Sequence, residues 1–280
     1  MVEQPLQLFG GASELLFRIG AFAAIFAVMV LLELASPKRA PRWPRARRWV
    51  TNLAVVGLGI LVVRLLAFLA VPLVAVGAAI IAQHHGWGLF NLVAWPSVLE
   101  IGLAVVVLDY AIWLQHVAMH KVPILWRVHQ MHHADVDFDV TTALRFHPFE
   151  TGLSMLYKVA WVLALGAAPL AVVLFEVILN GCAMFNHANV NLPRRLDWIL
   201  RQVLVTPDMH RVHHSIERRE HDTNFGFNLS IWDRLFRTYR PEPEKGHLGM
   251  TIGLEPYQSE APTRLGWSLA LPFRAQQRAE

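Results

Sequence analysis

Four long apolar runs constrain this chain more than any other feature: residues 15–35, 50–83, 97–115 and 151–184. A helix needs about 20 apolar residues to cross a bilayer. In hydrocarbon the backbone must satisfy its own hydrogen bonds, so such runs are helical unless they close a barrel. Alternating strand runs and hairpin turns are not evident, and 55% hydrophobic residues exceed what a soluble domain carries. The expectation is an all-α, polytopic membrane protein with about four membrane-embedded helical elements.

The loops between the runs set the topology. Six of the 25 basic residues lie between Lys38 and Arg48 in the proline-rich segment SPKRAPRWPRARRW. By the positive-inside rule this basic loop, residues 37–49, is cytoplasmic, with Trp43 and Trp49 at the interface. The polar lead MVEQPLQLFGGASE precedes the first span, where Arg18 can snorkel and Glu33 can sit at the interface. Residues 50–83, which include Arg64 and Pro72, read as one kinked, tilted span; two short spans are the rival, and would invert everything that follows. A single crossing keeps the later histidines on the cytoplasmic side and leaves His84 and His85 on the opposite face. The last run is broken at Gly166 to Pro169, which predicts a hairpin of two half-length helices that returns His187 to the cytoplasmic side. Lys158 and Glu176, inside that run, require partners.

Histidine spacing carries the chemistry. His116 and His120 are four apart; His129, His132 and His133, like His210, His213 and His214, are spaced i, i+3, i+4. On helices each set shares one face. Pro123 suits the first position of one helix, and Thr206-Pro207-Asp208 reads as cap, first-turn proline and acid of another. Eight imidazoles exceed the needs of one ion, so a dimetal site fits better. Ligand type alone leaves zinc, copper, iron and nickel open. The H-E-x-x-H pattern is absent, since Val117 follows His116. A single cysteine, Cys182, excludes a four-cysteine zinc site or a cysteine-ligated cluster, and no G-x-G-x-x-G or P-loop is present. Electrons would therefore come from another molecule. Asp135, Asp137 and Asp139 read as a solvated face. Trp232, Leu235 and Phe236 read as core packing, His221 and His247 as surface residues, and the LGWSLALPF tail as lying on the membrane or the cap.

These boxes, with WRVHQMHH (126–133), TALRFHPFE (142–150), FNHANVNLP (185–193), TPDMHRVHH (206–214) and NFGFNLSIWDRLFRTY (224–239), resemble the fatty acid hydroxylase/sterol desaturase superfamily of membrane di-iron proteins, in its bacterial sterol-desaturase-like form. The resemblance implies two iron ions activating O2 to hydroxylate or desaturate an aliphatic C–H of a lipid, with zinc as a possible substitute in purified protein. It implies ligands at His116, His120, His129, His132, His133, His210, His213 and His214, with His187 as a ninth. Relatives can carry another histidine four residues on; Asn191 stands there, which leaves one place to water or His147. Asp109, two turns before His116, is a candidate to orient a ligand, and Asn189, Arg145 and Glu150 are weaker ones. Residues 1–100 are then N-terminal membrane helices, 101–240 the catalytic domain and 241–280 a tail. The metal site lies in a cytoplasmic helical cap at a bacterial inner membrane. The partners are a bilayer lipid and a cytochrome b5-like or ferredoxin-like electron donor, with no nucleic acid. A membrane zinc protein, either hydrolase or metal transporter, is the alternative.

Overall fold

A computed structural model describes residues 12–274; most of the polar N-terminal lead, and the last residues of the tail, fall outside the described residues. The helices are α1 (Ala12–Ala35), α2 (Arg45–Leu69), α3 (Ala75–His85), α4 (Ser97–Lys121), α5 (Pro123–His133), α6 (Pro148–Leu165), α7 (Pro169–Asn186), α8 (Arg194–Leu200), α9 (Pro207–His213), α10 (Arg218–His221), α11 (Ile231–Leu235), α12 (Gly246–Gly249) and α13 (Leu265–Ala270). Among the described residues extended pairing is limited to isolated bridges. The fold is all-α, and α1, α2, α4 and α7 are long and apolar enough to cross a membrane.

Proline sets where the site helices begin. Pro123, Pro148, Pro169 and Pro207 each open α5, α6, α7 and α9, where the missing N–H costs nothing and φ is already helical. The run 50–83 is not one kinked span. It breaks at residues 70–74 into α2, long enough to cross, and α3, whose 11 residues are too few. Ala75, Ala78 and Ala79 of α3 pack into the main apolar core with Ala104 and Leu108 of α4, Val162 of α6 and Phe175 of α7. The run 151–184 folds as a hairpin, but its arms are 18 residues each, not half-length. The turn closes on Gly166, in the left-handed region at φ 66°, where glycine is favoured.

Buried charge replaces several expected surface groups. Asp135, Asp137 and Asp139 are buried, not solvated. Arg48, at the start of α2, reaches Asp135 through Nε and Nη2 at 2.8 Å each, and Asp139 through Nη1 at 2.6 Å. Burial alone would raise the Asp135 carboxyl, but Arg48 and its hydrogen bonds bring it down to about 2. Glu33 is 1% exposed and accepts the backbone N–H groups of Val140 and Asn189. Within the spans, Glu176 accepts from Lys158 and from Arg18, each at 2.6 Å, so Arg18 is paired and does not snorkel. The tail packs into the cap, with Leu271 and Ser268 fully buried. Leu235 is 64% exposed, against the expected core role, whereas Phe236 stacks on Trp113 at 4.6 Å.

Candidate metal centre

The ends of α4 and α7, with α5 and α9, deliver nine histidines to two adjacent nests. In the first, one nitrogen each from His116, His120, His129, His133 and His213 lie within 4.8 Å of one another; in the second, the same holds for His132, His187, His210 and His214. Local sequence explains the delivery. The four-residue spacing on α4 stacks His116 over His120, and α5 splits its three rings between the nests, with His129 and His133 to one and His132 to the other. Thr206 caps α9, its Oγ1 accepting the Met209 N–H at 3.3 Å, which fixes the turn carrying His210 and His213.

The hydrogen bonds show which nitrogen each ring offers. His116 Nδ1 lies 2.7 Å from the Phe225 carbonyl, His213 Nδ1 2.7 Å from the Thr223 carbonyl, and His129 Nδ1 2.6 Å from Glu150 Oε1. Each partner is an acceptor, so each Nδ1 carries the hydrogen and each Nε2 is a bare lone pair. Yet His116 Nε2 stands 3.2 Å from His129 Nε2 and 3.1 Å from His213 Nε2. Lone pairs that close repel unless a cation lies between them. Two nitrogens about 2.1 Å from one ion at right angles stand about 3.0 Å apart, so the spacing fits. In the second nest His187 Nδ1 donates to the Ala183 carbonyl, leaving its Nε2 bare, 3.2 Å from His132 Nε2 and 3.1 Å from His210 Nε2. Both ring nitrogens of His120, His133 and His214 are buried without a hydrogen-bond partner.

Protonation does not resolve this. Burial pushes His187 down to about 3 and, with the neighbouring imidazoles, holds His132, His133, His210, His213 and His214 well below the ordinary value. These six rings are neutral near pH 7, the state that ligates metal. The donor set fits two cations of the imidazole-seeking kind.

Several candidates stand elsewhere. His147 is not in either nest: it caps α6, Nδ1 accepting the Phe149 N–H at 3.2 Å while Nε2 lies 3.3 Å from the Leu269 carbonyl. Asp109 reaches no histidine; Oδ2 accepts from the Trp232 indole at 2.8 Å and the Leu229 N–H at 3.2 Å. Asn189 clamps Arg39, accepting its backbone N–H and donating to its carbonyl. Arg145 ties the tail to the cap through Pro262 and Ser268. The acid that does reach a histidine of the nests is Glu150, on His129. His221, expected at the surface, forms with His120 and Asp222 a third group, its ring 4.9 Å from Trp126. His247 is buried too, with Nε2 2.8 Å from Glu242. A cavity of about 500 Å³ opens on His116, His129 and Glu150, walled by α2, α4, α6 and α7.

Fold and site together define a polytopic helical membrane protein with a dimetal-capable polyhistidine centre under an apolar cavity. The fatty acid hydroxylase family model matches residues 101–238. It is 32% identical to the alkylglycerol monooxygenase of Xenopus tropicalis over 189 residues, which is 65% of this chain and 41% of that protein. It is 34% identical to the ornithine lipid hydroxylase OlsE of Rhizobium tropici over 164 residues, 56% of this chain and 47% of the relative. With the human alkylglycerol monooxygenase it shares 31% over 174 residues, 62% of this chain and 38% of the other. The chain thus spans less than half the length of these curated relatives. No solved structure matches it significantly.

Proposed function

We propose that this protein is a membrane-bound di-iron oxygenase that hydroxylates an aliphatic C–H bond of a lipid. The observation that carries the reading is the convergence of three bare imidazole nitrogens, His116, His129 and His213, at the foot of an apolar cavity. The match to the fatty acid hydroxylase family model supports it, as do relatives named for alkylglycerol monooxygenation and ornithine lipid hydroxylation. The nine ligands are His116, His120, His129, His133 and His213 to one ion, and His132, His187, His210 and His214 to the other. O2 activation and aliphatic C–H cleavage are the chemistry that a pair of irons supplies here when bound.

The protein's own part is positional. Glu150 holds the Nδ1–H of His129 and so fixes which nitrogen faces inward. Phe146 stacks on His132 at 4.5 Å and Phe138 lies 5.0 Å from His214, walling the second nest against water. Val56, Ile60, Met155 and Leu179 line the cavity and guide a hydrocarbon tail to the centre from the bilayer. The balance is one oxygen atom into the C–H bond and the other to water, using two protons and two electrons from an external cytochrome b5-like or ferredoxin-like protein. By the positive-inside rule the basic loop 37–49 supports a centre on the cytoplasmic side, at a bacterial inner membrane in this reading.

The decisive experiment has two readings. Protein purified without oxygen should carry close to two irons per molecule and consume O2 when given a chemical reductant. Lipids of cells expressing it should gain a species heavier by one oxygen atom, absent in cells expressing the His213→Ala variant. Two-iron protein that neither consumes O2 nor alters any lipid would end the proposal.

A further inference from the structure

The cavity that opens on the histidines has a second end, and that end is charged. Along α6, Lys158 stands eight residues beyond Glu150, about 12 Å at the helical rise, and both line the cavity. Between them the lining is mostly apolar. At the far end stand Arg18, Arg64, Lys158 and Glu176. Three of these form a closed account: Glu176 holds Lys158 and Arg18, and Arg18 Nε also reaches Glu14 at 2.8 Å. Two positive and two negative charges cancel there.

Arg64 is left over. Among the described residues no hydrogen bond or ion pair engages it, and it is exposed within an apolar helix, beside Leu61 and Leu65, which are 64% and 55% exposed. A cation without a counter-charge in a span is costly. It lies five residues before Leu69 at the end of α2, about 7.5 Å from it, and so on the side of the membrane away from the cap. The opposing walls are α1, which carries Arg18, and α2, which carries Arg64. The two helices touch nearer the cap, through Phe26 and Trp49 at 5.9 Å.

We infer that the charged end of the cavity receives the oxyanion of an amphiphilic lipid, a phosphate or a carboxylate, on Arg64, so that the hydrocarbon tail runs down the apolar walls and offers a methylene C–H to the histidine centre. The substrate is then an acidic lipid oxidised on its tail. Only the oxidation rests on the oxygenase reading; the binding does not.

The test is equilibrium binding to the full-length protein in neutral detergent, with metal removed, using three radiolabelled probes of equal acyl length: palmitate, palmitoyl lysophosphatidate and hexadecanol. The wild type should bind at least one acidic probe about tenfold tighter than the alcohol, and the preferred probe names the oxyanion. Arg64→Gln should erase that preference while leaving hexadecanol binding unchanged, Arg64→Lys should keep most of it, and Arg42→Gln, remote from the cavity, should keep all of it. Because Arg64 makes no ion pair, Arg64→Gln should melt at the wild-type temperature. Equal binding of acid and alcohol by the wild type, or an undiminished preference in Arg64→Gln, overturns the inference. Absence of iron or of O2 consumption would overturn the oxygenase reading and leave these affinities as they are.

Discussion

At the scale of single residues, Glu150 is the most informative side chain outside the two histidine nests. Its carboxylate takes the Nδ1–H of His129 at 2.6 Å, raising the basicity of the ring and fixing its tautomer. Groups that hold a ligand this way are worth about 10–100-fold in metal affinity, so Glu150→Gln should lower iron affinity by that factor, read by metal analysis after dialysis against graded iron. His147 makes a second prediction. As cap of α6 it must be neutral, since Nδ1 accepts from Phe149, and burial lowers its pKa from the usual value. A histidine with a depressed folded pKa is more readily protonated in the unfolded state, so its contribution is intact above about pH 6.5 and is lost as pH falls below that value. Thermal stability in detergent should decline over that interval, and His147→Asp, which caps as a carboxylate, should flatten the decline. The clustering of the histidines was legible because i, i+3, i+4 spacing fixes a helical face. Their orienting groups were not. Asp109 shares the face of His116, but what a carboxylate touches depends on distant segments, and for Asp109 that segment brings Trp232.

Among the elements, α2 does more than cross the membrane. Its first turn carries Arg48 into a pocket with Asp135 and Asp139, which pins the loop following the α5 histidines. The sequence hides this: three acids in five residues look solvated until a buried guanidinium from some 90 residues earlier is placed among them. Arg48→Met would leave two buried carboxylates without a cation, a loss of about 3–5 kcal/mol, seen as a large drop in melting temperature and a shortfall of bound metal. At the other end of the bundle, Gly88 meets the α6–α7 turn. A Cβ on Gly88 would stand 2.1 Å from the backbone nitrogen of Gly166, and its φ is 90°. Gly88→Ala should therefore cost roughly 1–3 kcal/mol from crowding alone, more with the strained backbone, without changing metal content. The same turn explains the misread hairpin. The GAAP break is visible in the sequence, but the arm lengths depend on Pro148 opening α6 before the apolar run begins and on Asn186 closing α7 after it ends.

At the scale of the whole molecule, the apolar runs and the histidine boxes were readable because each is a local pattern imposed by lipid or by helical period. Their assembly, with α3 packed into the core and the tail bound to Arg145, depends on contacts between distant segments that no local pattern encodes. The centre is itself such a contact. Its nine imidazoles come from α4, α5, α9 and the end of α7, so two bound ions would cross-link four separate parts of the molecule. Four bare nitrogens, those of His116, His129, His187 and His213, each lie within 3.2 Å of a neighbouring imidazole nitrogen, an arrangement that a bound cation would stabilise. Metal that binds only the folded state stabilises it by mass action, about 4 kcal/mol at a thousandfold excess over Kd. Chelation should therefore lower the melting temperature and expose the cap, residues 123–147 and 206–225, to amide hydrogen exchange, while the spans α1 and α2 exchange as before. Restored iron should reverse both effects in the wild type and neither in His213→Ala. If chelation left cap exchange unchanged, the histidines would be held by packing alone and the cross-linking role would fail.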